Sequence, residues 1–367
     1  MKLFKLFIKS AETGLQKQRD DGVMPAGHNG PHNDPETPVR NTSHWLIFFL
    51  KAFELSEEPK FKKAASSCLS YLLMKESRPG DATFYHRKNP QKDFSNGIIG
   101  QAWTIEALIY ASRKFNNPEI LKLAEDVFNL HPYEPSVQAW KVVNPDGTIR
   151  DYDRTFNHQL WFASIGCELI KQGVTSVQDS VDHFIQNIHK NIEFYPDGVI
   201  KHYPYAYTFP PSLRKSAGRL NNRLKSLFNP FDSNYSHSVG YHAFNTYALG
   251  VIYRYDPDLP FFKNGLFRTS LDAIGNDRFQ KCLPEAKFGY PYNPPGIEIA
   301  VSLQAGTQLS KNEIEKLQKK WLNKQFEMNF DFNNFTMTRN TPDPLTNQAR
   351  MYELYRLDNF NVNIRKP

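Results

Sequence analysis

Glu298 is the carboxyl group of this chain that its neighbours best equip for acid–base work. It follows Asn293-Pro294-Pro295-Gly296, a rigid turn, and enters a run otherwise made of Ile297, Ile299, Ala300 and Val301. An apolar setting holds a carboxyl proton to higher pH, as a general acid requires. The dipole of a helix start favours a glutamate there equally well. Cleavage of a glycosidic bond usually calls for a second carboxyl group. Loop-borne partners are Asp34, Asp93, Asp151, Asp153 and Asp343, of which Asp93 is taken as catalytic beside Glu298. His158 and His242 stand where loops give way to helices, and an unperturbed imidazole titrates near neutrality, so both qualify as general bases. His28, His32 and Asp34 have the types of metal ligands, but Gly30 and Pro31 between them defeat helical ligand spacing and no HExxH or CxxC occurs. Neither a metal nor a cofactor is expected.

A second group suits recognition. Four times a polar residue at a loop-to-helix junction is followed by an aromatic: Gln101 and Trp103, Gln159 and Trp161, His242 and Phe244, and more loosely Ser43-His44-Trp45. Helix starts offer unpaired N–H groups and a partial positive potential. Aromatic faces stack on sugar rings while amides and imidazoles bond to hydroxyls. The residues assigned to a sugar-binding rim are therefore His44, Asn96, Gln101, Trp103, Asn157, Trp161 and Tyr241, with Arg339 as a clamp for a substrate carboxylate. The plainer alternative is that the tryptophans are core and the amides are caps. Arg350 and Glu353, spaced i, i+3, are expected to pair with each other.

The elements that must position these groups are almost all helical. Apolar residues recur at i, i+3, i+4 and i+7 through most of the chain. An amphipathic first helix precedes a long loop, Asp20 to Arg40, crowded with glycine and proline. Hairpins are then expected at Trp45–Leu55 with Lys60–Met74, Gly100–Lys114 with Glu119–Leu130, and Asn157–Lys171 with Ser176 to about Asn191. After an aromatic and basic excursion over 194–234 come Gly240–Tyr255 with Pro260–Ile274, Gly296–Ala305 with Lys311–Gln325, and a closing helix Pro344–Leu357. Divergent repeats with long individual loops favour a closed (α/α)6 toroid over an open solenoid, with residues 1–367 as one all-α domain.

Composition sets outer bounds. The chain has 367 residues, 40% of them hydrophobic, and no run of about 18 apolar residues that would span a membrane. Cys68, Cys167 and Cys282 are widely spaced, which suggests reduced thiols and a cytoplasmic protein. The formal charge of +7, spread along the chain with no nucleic-acid motif, admits nucleic acid, an anionic membrane surface or an acidic substrate; taken with the sugar-binding rim, the expected partner is an acidic oligo- or polysaccharide.

Asn96-Gly97-Ile98-Ile99-Gly100-Gln101-Ala102-Trp103-Thr104-Ile105-Glu106-Ala107-Leu108 resembles the Gly-Gln-Ala-Trp helix start of six-hairpin glycosidases, especially the unsaturated glucuronyl hydrolases of glycoside hydrolase family 88. A similar Gly-Gln-Ala segment occurs in glucuronyl C5-epimerases. The resemblance implies the toroidal fold and a glycoside hydrolase acting on a uronate-containing glycan. The glucuronyl hydrolases' catalytic aspartate has no motif-level counterpart here. A lyase or C5-epimerase, which uses Tyr, His, Asn and Arg beside a substrate carboxylate, is the alternative. A non-catalytic helical scaffold binding a polyanion through Lys201 to Arg223 is a third.

Overall fold

A computed structural model describes residues 1–202, 204, 233–307 and 309–362. Most of the 194–234 excursion, with nearly all of its basic stretch, lies outside the described residues.

Helix α1 (Leu3–Leu15) leads through the glycine- and proline-rich loop to α2 (Val39–Ser56) and its antiparallel neighbour α3 (Pro59–Leu72). The pattern repeats in α4 (Gly97–Phe115) with α5 (Pro118–Asn129), and in α6 (Phe156–Lys171) with α7 (Gln178–Gln186). Helix α8 (Ser233–Tyr255) is followed by α9 (Leu266–Ala273), and α10 (Pro295–Ser302) by α11 (Lys311–Asn329). The short α12 (Pro344–Ala349) runs into a 3₁₀ segment, Arg350–Arg356. Proline opens α3, α5, α10 and α12, where its missing N–H costs nothing.

Helices α2, α4, α6, α8 and α10 each pack against the next, and the 3₁₀ segment touches both α10 and α2. The ring is thereby closed, and the fold is the all-α (α/α)6 toroid. The five helices are buried on nearly every side; all residues of α4 from Gly97 to Ser112 are buried. The outer helices bury one face only. The two ends of the chain are zipped together where Leu3 N–H donates to the Phe360 carbonyl at 2.9 Å and Val362 N–H to that of Met1 at 2.9 Å. A small antiparallel sheet, Tyr133–Glu134, Ala139–Val143 and Ile149–Tyr152, fills the loop before α6.

Several boundaries differ from expectation: α8 starts at Ser233 and not Gly240, and the helix expected over Pro260–Ile274 breaks into Pro260–Lys263 and Leu266–Ala273. Helix α2 begins at Val39, not near Trp45, so Asn41 lies inside it and donates to the Pro25 carbonyl at 2.8 Å. Pro38 sets the start, and Arg40, read as the end of a loop, falls on the first inner turn. The closing helix winds down into a 3₁₀ turn after Ala349. Cys68, Cys167 and Cys282 are buried and unpaired with one another. Among the described residues no helix is long and apolar enough to cross a membrane.

Candidate active site

At one end of the ring a cavity of about 210 Å³ is lined by side chains from four inner helices, the 3₁₀ segment and the loops between them. Arg40 comes from α2, Ile99 and Trp103 from α4, Asn157 and His158 from α6, and His237, Tyr241 and Phe244 from α8. Asn293 precedes α10, and Arg350 opens the 3₁₀ segment. Asn29, His32 and Asp34 arrive from the long loop, and Arg87, Lys92 and Asn96 from the one before α4.

His158 is paired with a buried carboxylate. Its Nδ1 lies 2.9 Å from Asp153 Oδ2, and that carboxylate also accepts the N–H groups of Ile98 and Thr155, each at 3.1 Å. Burial would lift the Asp153 carboxyl, but the His158 imidazole and these amides outweigh it and hold the group below the ordinary carboxylate range. An ionised Asp153 fixes the Nδ1–H tautomer, which leaves Nε2 as the basic nitrogen of a residue lining the cavity. Gly97 makes room for the dyad. Its φ is +61°, and a Cβ there would lie 2.3 Å from Asp153 Oδ2 and 3.1 Å from His158 Nδ1.

Arg40 lies almost wholly buried with its guanidinium carbon 4.0 Å from the centre of the Trp103 ring. Its Nη1 donates to Glu36 Oε1 at 3.0 Å and Asn29 Oδ1 at 3.1 Å, while Nε and Nη2 have no hydrogen-bond partner. Those two nitrogens form the side-on edge of the guanidinium, whose parallel donors match the two oxygens of a carboxylate. An imidazole and aromatic wall stands on α8: His237 stacks on His202 at 4.3 Å and on Phe288 at 4.4 Å, and Tyr241 on His202 at 4.4 Å. Burial, aided by nearby lysines, pushes His32 and His237 down to about 4, so both are neutral at physiological pH.

The candidate carboxylates are all engaged, and of them Asp34 lines the cavity. Asp34 accepts from Lys92 at 2.5 Å and Asn89 at 2.9 Å. Asp93 caps α4 through Gly97 N–H at 2.6 Å and bonds to Arg87. Glu298, fully buried, accepts from Arg350 Nη2 at 2.6 Å. The expected Arg350–Glu353 pair forms at 2.7 Å. Asp343 caps α12 and receives the N–H groups of His28 and Gly30, and Asp151 is exposed beside Arg154. Among the described residues no cluster of His, Cys, Asp or Glu is arranged to hold a metal.

Of the residues singled out by sequence, Asn96, Trp103, Asn157, His158 and Tyr241 line the cavity; Asp93, Glu298, His44, Gln101, Trp161, His242 and Arg339 do not. Gln101 accepts Phe84 N–H at 2.8 Å and donates to the Phe84 and Ser95 carbonyls at 2.9 and 3.1 Å. Gln159 does the same with Trp140 and Asp153, and His242 accepts Ile200 N–H at 3.0 Å while donating to the Ser270 carbonyl at 2.8 Å. The repeated polar residue is thus a clamp on the preceding loop. Positions i and i+2 point to opposite sides of a helix, so the clamp faces outward when the aromatic two residues later faces the axis. Trp161 stays within the wall, stacked on Phe244 at 4.1 Å and Tyr247 at 4.7 Å. His44 is buried against Trp103 and Tyr352, and Arg339 is exposed near Phe330. Arg40, Asn29 and Tyr292 went unnoticed because a loop assignment hid their facing. An arginine one turn before His44 was the available signal.

Solved structures share this toroid of paired helices. Cellobiose 2-epimerase from Bacillus thermoamylovorans matches with a TM-score of 0.66 at 12% identity, covering 96% of this chain and 98% of that one. A D-mannose isomerase matches with a TM-score of 0.62 at 14% identity, over 96% and 98% of the two chains. The α-1,6-mannanase of Salegentibacter sp. matches at 0.57 and 11%, again over 96% and 98%. No family model matches the sequence. The chain is, however, 40% identical to archaeal glycosylation protein Q of Haloferax volcanii over 98% of both chains, and it belongs to that protein's family.

Proposed function

We propose that this protein is a carbohydrate-active enzyme of glycan assembly that moves a proton at a carbon of an acidic sugar, as an epimerase or isomerase does. The observation that carries the reading is the His158–Asp153 dyad, which sets a carboxylate-paired imidazole on a cavity whose lining carboxylate, Asp34, is tied to Lys92 and Asn89. Hydrolysis is less well supported, because its two carboxyl groups must be free to protonate a leaving group and to activate water, and Glu298 and Asp93 are both engaged outside the cavity.

In this mechanism a uronate ring stacks among Trp103, Tyr241 and Phe244, and its carboxylate is drawn to the Arg40 guanidinium, whose buried Nε and Nη2 are unpaired. His158 Nε2 removes the proton from the carbon beside the carboxylate. The electron pair passes into the carboxylate, where Arg40 offsets the growing charge. The proton returns to the other face from a group that is protonated at neutral pH, a role the Tyr241 hydroxyl on the cavity wall would fill. The name of the Haloferax relative supports a glycan as the setting.

Incubation with glucuronyl oligosaccharides in D₂O, followed by proton NMR, tests the reading. Solvent deuterium should enter the ring without cleavage, and Asp153→Asn should slow exchange by about 10²- to 10⁴-fold. New reducing ends without exchange would establish a hydrolase instead, and a new conjugated double bond a lyase.

A further inference from the structure

Arg350 is the second buried cation lining the cavity, and its surroundings differ from those of Arg40. Nη2 donates to Glu298 Oε1 at 2.6 Å and to Glu353 Oε1 at 2.7 Å, Nε donates to Glu353 Oε1 at 2.9 Å, and Nη1 to Asn293 Oδ1 at 2.5 Å. Two carboxyl groups therefore converge on one guanidinium. The Oε2 atoms of both are buried and have no hydrogen-bond partner. Two full negative charges there would leave one uncompensated, together with two bare oxygens out of reach of water.

We propose that Glu298 and Glu353 hold one proton between them, and that this proton sets the charge Arg350 presents to the cavity, so that the pair selects for or against an anionic sugar. With the proton in place the three groups sum to zero. Without it they sum to minus one, directly beneath the ligand.

The other groups packed around the cluster do not supply the missing balance. Glu106, which faces Glu353 from α4, is already paired with Arg356 at 2.8 Å. Tyr352 and Tyr247, held well above their usual range by burial, stay neutral. His44, pushed down by burial and then by Arg40 and Arg350, is also uncharged. Arg40 has its own carboxylate in Glu36. Burial accordingly moves Glu298 up to about 7 and Glu353 up to about 8 against the pull of Arg350, and the two titrate as a unit. Both sit outside the reacting cavity and act through Arg350, as positioning residues.

This inference rests on the acidic-sugar reading above, and two measurements keep the two apart. The first needs no ligand: infrared spectra of the full chain from pH 6 to 10 should show the carbonyl stretch of a buried carboxylic acid that fades as the pair ionises. That band should be lost in Glu353→Gln or in Glu298→Gln. A band unchanged in both variants, or absent from the parent at pH 6, overturns the proposal. The second is titration calorimetry with methyl glucuronide and methyl glucoside in buffers of differing ionisation enthalpy. Glucuronide binding should take up a fraction of a proton near pH 8, and its affinity should fall on the order of tenfold by pH 10, the effect of one extra charge on the order of 10 Å away in a medium of dielectric about 20. The glucoside should show neither effect, and Glu353→Gln should abolish both. Equal pH dependence for the two sugars overturns the selection role. Failure of the glucuronide to bind while the glucoside binds refutes the acidic-sugar reading and the selection role with it, and the infrared band still decides where the proton sits.

Discussion

Gly97→Ala puts the positioning of the His158 dyad to a sharp test. Gly97 has φ +61°, a left-handed conformation that costs an alanine about 1–2 kcal/mol. The new methyl would also lie 2.3 Å from Asp153 Oδ2, well inside contact distance. The carboxylate cannot easily retreat, because it is buried and held by the amides of Ile98 and Thr155. Relief requires a shift of roughly 1 Å in the dyad, and displacement of a catalytic group by that much costs on the order of 10²-fold in rate. Gly173→Ala is the matched control: its φ is +89° with nothing within 4 Å of the added Cβ, so it reports backbone strain alone. Urea unfolding should show both variants destabilised, Gly97→Ala by about 1–3 kcal/mol more. Deuterium exchange into a glucuronyl substrate should fall about a hundredfold in Gly97→Ala and stay at the parental level in Gly173→Ala. Equal stability and full exchange in Gly97→Ala would refute the idea that this glycine makes room for the base.

Other expectations follow from the same geometry. Gln101→Leu strands the Phe84 N–H and the Phe84 and Ser95 carbonyls, so chemical denaturation should reveal a loss of about 3 kcal/mol or more; lost binding at full stability would return Gln101 to the sugar site. Arg40→Lys gives up the paired donors and the Trp103 stacking, and should weaken methyl glucuronide binding by about 1.5–3 kcal/mol while leaving methyl glucoside nearly unaffected. His131 and His242 are buried and pushed down to about 4 from an ordinary 6.5, so the folded state binds fewer protons than the unfolded one. Their stabilising contribution is full above about pH 6.5 and is lost as the pH falls toward about 4. His242→Gln, which installs the amide used at the equivalent positions 101 and 159, should fold at pH 8 and lose less stability on acidification than the parent.

The sequence determined the helices and their pairing. The 3.6-residue apolar period and the proline starts are local properties, and a chain that buries one face of each helix within hairpins has few ways to arrange them. Local pattern also placed Asn96, Asn157, His158, Trp103 and Tyr241 at the open end of the ring, because helix starts gather there. It could not tell a clamp from a ligand-binding residue. Gln101 and Trp103 share a motif, yet 200° of helical rotation sends one to a loop backbone and the other to the axis, and that distinction exists only once the ring is closed. Nor could it pair residues distant along the chain. Glu298 looked like a catalytic acid in an apolar helix, and closure brings Arg350 to it from 52 residues away. Arg40 looked like the end of a loop, and closure sets it on Trp103 with two buried donors unpaired. Charge and facing at the centre of a toroid are properties of the ring, since the groups that meet there come from helices and loops far apart along the chain.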